Sequence, residues 1–254
     1  MQKLRSALAL ATLVLLGRPV FAQQKAAESF AMMIPLAATI RASAEGADFA
    51  ADMTISIQNG DEAMEIPGQF AALGDKLRCQ LSLASASQSN PGMALIIRQL
   101  GLDQVVAIYD ASTGNVTMVL PGLKAVVETP IPDKVKEDLE FLKSPKGTPK
   151  PAGSESVDGV EFRRTVLVSR EGEKSIVWQQ TDRRNFPALI ESNSPDGKGN
   201  ATIRTVALER AAPDASRFQV PAQYKKYASV EEAMKAHMAR SGFKLPMGNP
   251  KPQP

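Results

Sequence analysis

The chain has 254 residues, 43% of them apolar and 22% charged, a balance that excludes a disordered polyelectrolyte and fits a globular fold. Its 30 Lys+Arg outnumber its 27 Asp+Glu, but the excess is Lys3, Arg5 and Arg18, all within residues 1–22. The remainder is formally neutral, which excludes the clustered positive face of a nucleic-acid binder.

Residues 1–22 carry the three parts of an export signal. Lys3 and Arg5 form a positive start, residues 7–16 read ALALATLVLL without a polar break, and Val20-Phe21-Ala22 places short side chains where a signal peptidase reads. The apolar run is too short to cross a bilayer, which takes about 20 helical residues. Cleavage is therefore expected between Ala22 and Gln23, giving a periplasmic protein. Gln23 is not a cysteine, so no lipid anchor is expected, and no later run reaches membrane-spanning length.

Residues 23–44 read as a helix interrupted by Pro35. The period then changes to two. Over residues 49–58, Phe49, Ala51, Met53, Ile55 and Ile57 alternate with polar positions, and Asn59-Gly60 signals a tight turn. Residues 63–72 alternate through Met64, Ile66 and Phe70. After Gly74-Asp75, residues 76–86 place Leu77, Cys79, Leu81 and Leu83 on one face, completing an antiparallel meander. A short helix over 91–102 has Asn90 as its cap. Strands follow at 105–109, 116–120 (with Met118 inward) and 124–128, then an amphipathic helix over 132–143.

Residues 144–156, rich in Pro, Gly, Ser and Lys, read as a loop or linker. Beyond it Val160, Phe162, Val166 and Val168 alternate along one strand, and 175–180 carries Ile176 and Trp178. Residues 188–193 pair with 201–210 across Pro195-Asp196-Gly197. Ser229 and Glu232 have the spacing of a capping box at the start of a last helix over 230–240. The tail 246–254 is Pro-rich and polar, and is expected to be disordered. The fold class is α+β: one strongly curved antiparallel sheet with helices covering one face. The expected organisation is a signal peptide at 1–22, a single domain over 23–245 and the tail.

Catalytic chemistry finds no support in the residues. One histidine (His237) and one cysteine (Cys79) cannot build a zinc or copper site of the usual type within one chain, and no metal or cofactor is expected. Neither a G-x-S-x-G elbow, a P-loop nor a G-x-G-x-x-G turn occurs. The lone cysteine makes no internal disulfide and reads as a buried, inert thiol. His237 reads as a solvated surface residue.

The alternating apolar faces leave two outcomes: helices either fill the curved sheet as an ordinary core, or only roof it and leave an apolar cavity for acyl chains. The residues that would line such a cavity are Met53, Ile55, Ile57, Met64, Ile66, Phe70, Leu81, Leu83, Met118, Val166 and Trp178.

Trp178, Asp182, Pro187 and Glu191 resemble a strand–turn–strand run of the LolA-like lipoprotein-carrier superfamily. Residues 218–224, Phe-Gln-Val-Pro-Ala-Gln-Tyr, resemble the F-x-x-P-x-x-Y signature closing those domains, and 108–129 is similar to a hairpin stretch of the same superfamily and a related periplasmic family. The resemblance implies a half-barrel with a helical lid and an apolar cavity. Its partners would be acyl chains of lipids or lipoproteins, with no enzyme activity. The alternative is an envelope interaction protein with a filled core, no lipid ligand and a protein partner.

Overall fold

The computed structural model describes residues 33–59, 62–86, 91–170, 172–181, 185–193, 199–209 and 211–241. The expected signal peptide and its cleavage site, residues 23–32, Gly60, Asn90, Asp182, the 195–197 turn and the Pro-rich tail lie outside them.

The first helix, α1 (Met33–Ser43), buries Met33, Ile34, Ala37, Ile40 and Ser43. The alternation that follows forms β1 (Phe49–Asn59) and β2 (Glu62–Leu73), paired antiparallel with Ile55 opposite Ile66 and Ala51 opposite Phe70. β3 (Lys76–Ser82) completes the meander. It stops short of the expected end at 86, because the Leu83 N–H turns to the Asp103 carbonyl (2.9 Å) and starts the short α2 (Leu83–Ala86). Then come α3 (Pro91–Gln99) and the strands β4 (Gln104–Asp110), β5 (Asn115–Leu120) and β6 (Ala125–Pro130). Between β5 and β6 a 3-10 turn at Pro121–Leu123 ends on Lys124 in the left-handed region, at φ 49°.

The helix α4 (Asp133–Lys143) packs against α1. The stretch read as a linker is instead mostly strand: Lys150–Val157 is β7, exposed along its whole length. Its composition disguised it. At a sheet edge a proline needs no ladder partner for its missing N–H, and Gly153, at φ 101°, sits in the irregularity between Pro151 and Ser154. β8 (Val160–Val168), β9 (Lys174–Gln180), β10 (Phe186–Asn193) and β11 (Gly199–Leu208) follow, then a 3-10 turn at Ala215–Phe218, β12 (Lys225–Tyr227) and α5 (Val230–Ser241).

The twelve strands of the described residues form one unclosed, curved sheet in the order β12-β6-β5-β4-β3-β2-β1-β11-β10-β9-β8-β7. Every neighbouring pair is antiparallel except β12 with β6. This is the expected α+β fold, a curved sheet from the alternation and an open half-barrel as the family resemblance implies. The two halves of the chain meet in the middle, through β1 on β11. There the register slips between Asp52 and Met53, and the extra residue, Val206, is 64% exposed.

One face carries the main core, in which α1 and the inner positions of β1–β6 and β8–β11 pack together. The opposite face of β1–β5 holds a smaller cluster of Ala50, Ala71, Val106, Ile108 and Val119, covered by Phe218 and Tyr224. The chain therefore crosses the outer face at 218–224, rounds the sheet end as β12, and returns to the inner face as α5, where Val230 and Ala233 are buried. The capping box forms with one change. Ser229 Oγ accepts the Glu232 N–H (3.1 Å), while the Glu232 carboxylate accepts from Ala228, one residue earlier than the motif specifies.

Candidate functional site

Eight of the expected cavity-lining residues, Met53, Ile55, Ile57, Ile66, Phe70, Leu81, Leu83 and Met118, lie buried together in the main core, and Met64 packs half-buried against it. Val166 and Trp178 do not join them. In β8 and β9 the buried positions are Thr165, Leu167, Val177 and Gln179, so Val166 and Trp178 occupy the opposite face. There the Trp178 indole N–H donates to Glu191 (2.7 Å), the Arg164 guanidinium lies 4.8 Å above its ring, and Phe162 meets it edge-on at 6.4 Å. The outer face of these strands is thus as apolar as the inner one, and the period-two pattern could be read on either parity.

The inner face under the end of α1 carries a polar clasp. Gln179, 1% exposed, donates through Nε2 to the Ser43 carbonyl and accepts from Arg163 Nε (3.2 Å). Arg163 also pairs with Glu45 just beyond α1 (2.9 Å). These bonds satisfy a helix-end carbonyl and fix α1 across the sheet. Thr165 lies beside them, with its hydroxyl buried and without a partner among the described residues.

Towards the start of α1 the packing opens. A cleft of about 160 Å³ lies between α1 (Pro35, Thr39), α4 (Asp138, Phe141, Leu142), the end of β8 (Leu167, Val168), the turn residues Ser169, Arg170 and Glu173, and Ser175 of β9. Its lining combines apolar Pro35, Phe141, Leu142, Leu167 and Val168 with polar Thr39, Asp138, Ser169, Arg170, Glu173 and Ser175. Leu167 belongs both to this lining and to the main core, so the cleft abuts the packed interior. Sequence reading missed it because its walls come from three separated segments, one of them the turn after β8. The amphipathic pattern of α4, with Val135 and Leu139 buried, was the available signal.

Such a surface can take an apolar chain end with a polar group at the rim. No cluster of three or more metal-ligating side chains occurs among the described residues. Cys79 is fully buried, burial pushes its thiol well above the usual range, and it does not line the cleft. His237 is half-buried rather than solvated, its Nε2 lying 3.3 Å from the Gln99 carbonyl. No described helix is long and apolar enough to cross a membrane.

No protein-family model matches the chain, and no curated protein sequence does. Solved structures do. An uncharacterized conserved protein from Thermus thermophilus is similar over 77% of this chain and 98% of its own, at 12% identity and a TM-score of 0.46. A putative outer membrane lipoprotein-sorting protein domain from Vibrio parahaemolyticus is similar over 74% and 97%, at 15% identity and a TM-score of 0.36. The chain is also similar to a LolA superfamily protein from Nitrosomonas europaea, over 75% of this chain and 97% of that one, at 10% identity and a TM-score of 0.34.

Proposed function

We propose that the protein is a non-catalytic binder or carrier of lipid or lipoprotein acyl chains, exported through a signal peptide cut between Ala22 and Gln23 and acting in the periplasm as a single domain over 23–245. The observation that carries this reading is the cleft at the start of α1, whose apolar wall shares Leu167 with the core. An opening of about 160 Å³ takes a chain end; a whole acyl chain needs α1 to separate from the sheet. Native mass spectrometry and lipid extraction of protein purified from the periplasm test it. Copurified lipid is expected. A ligand-free protein that also takes up no fluorescently labelled acyl chain sinks the reading. Thr39, half-buried on the cleft wall, offers a graded test. Thr39→Phe is expected to fill the opening and weaken acyl binding about tenfold, or about 1.4 kcal/mol, without lowering the unfolding midpoint.

A second reading is favoured by the eight buried residues packed in the main core. On it the protein is an envelope interaction partner of the same fold with no lipid ligand. Absence of lipid, together with crosslinking to a defined envelope protein through the half-exposed Phe162–Trp178 face, is its signature.

A further inference from the structure

The cleft's rim is charged unevenly. Arg170 is already countered by two carboxylates of α4: its Nη1 contacts Glu137, and its Nε lies 3.4 Å from Asp138 Oδ1. Glu173 lines the same cleft from the other arm of the turn. Its main chain is held in place: the N–H donates to Ser169 Oγ (3.1 Å) and the carbonyl accepts the Ser169 N–H (2.8 Å). Its half-buried carboxylate has no hydrogen bond or ion pair among the described residues. Ser169 and Glu173 are thus tied together, Arg170 is engaged, and Glu173 lines the cleft without a counter-charge among the described residues. A carboxylate beside an apolar wall feels less dielectric screening than one in open water, so it favours a cationic neighbour strongly.

We propose that the cleft selects amphiphiles whose apolar chain ends in a cationic ammonium group, the chain lying on Pro35, Phe141, Leu142 and Leu167 and the ammonium pairing with Glu173; this rests on the acyl-chain reading above. An anionic end meets Glu173 as a like charge, and it reaches Arg170 only by displacing Glu137 and Asp138. A neutral end gains nothing from either group.

Isothermal titration of the purified protein with decylammonium, 1-decanol and decanoate, each below its aggregation limit at pH 7 and low salt, separates the cases. Decylammonium is expected to bind about fivefold more tightly than 1-decanol, and decanoate more weakly than either. Added salt should shrink the spread. Glu173→Gln, which keeps size and shape, is expected to bring decylammonium down to the affinity of 1-decanol. Equal binding of all three, or tighter binding of decanoate, overturns the selectivity and leaves the acyl-chain reading standing. No binding by any of the three overturns both.

Discussion

Gly101 and Gly122 meet backbone to backbone where α3 ends and the Pro121–Leu123 turn begins. A Cβ on Gly122 would stand 2.7 Å from the Gly101 carbonyl oxygen and 2.9 Å from its Cα, and main chain cannot rotate away. At Gly68 the nearest atoms are side-chain carbons of Leu81 and Phe70, both at 2.9 Å, with the Gln80 carbonyl oxygen farther off at 3.1 Å. Overpacking typically costs about 1–3 kcal/mol. Gly122→Ala is expected at or above the top of that range and Gly68→Ala below it, read from urea midpoints. Charge acts locally too. The Asp110 carboxyl accepts from the Ser112 hydroxyl (2.5 Å) and N–H (2.9 Å) and faces Lys76 (3.4 Å). The Ser112 hydroxyl above all holds it below the usual aspartate range. A depressed carboxyl stabilises the fold above its unfolded value and loses that contribution as pH falls through its folded one. The stability gap between the parent and Ser112→Ala should therefore be full at about pH 6 and close below about pH 4. The residue scale also shows where the sequence was hard to read. Thr165 and Gln179 point inward with Leu167 and Val177, while Val166 and Trp178 point outward, so polarity along β8 and β9 does not track burial. Hydrogen bonds to Ser43 and Arg163 make a buried Gln179 tolerable, and no local pattern announces such distant partners.

At the scale of elements, the segment from Asp214 to Tyr224 works as a strap. Asp214 accepts the Ser216 N–H (2.7 Å) and sets the 3-10 turn, which places Phe218 over Val106, Ile108 and Val119. The Tyr224 N–H closes on the Pro221 carbonyl (3.0 Å), and the chain then enters β12 beside β6. The F-x-x-P-x-x-Y spacing was visible in the sequence, but its work was not, because the surface it covers comes from strands in the first half of the chain. Phe218→Ala is expected to cost about 3–5 kcal/mol and to expose the outer cluster to a hydrophobic dye, whereas Val220→Ala, on an exposed neighbour, should be near neutral. β1–β3 were legible from an alternation of polar and apolar positions, and β4–β6, apolar on both faces over much of their length, as short apolar runs between turn residues. β7 was not, since an edge strand exposed on both sides needs no alternation and tolerates the Pro and Gly that signal a loop.

For the whole molecule, curvature and helix cover follow from the alternating faces, but the strand order does not. β6 and β7 are neighbours in sequence and occupy nearly opposite ends of the sheet, with the segment carrying α4 between them. That crossing places α4 beside α1 and so makes the cleft, which is why the site was less legible than the fold. The same order decides when the sheet can be completed. β1, 11 residues long and apolar on one side, receives its second neighbour only when β11 arrives. A chain growing from its N-terminus carries the first six strands with a long open edge until Gly199–Leu208 has been made. Long-range pairing of this kind slows folding, and an unpaired flat edge invites association. A chain truncated after Lys198 keeps that edge unprotected. It is not expected to form a stable monomer, and sedimentation should find it aggregated while the full chain is not. In a polypeptide that folds only after its final strands appear, the interval between synthesis and folding is built into the order of the strands.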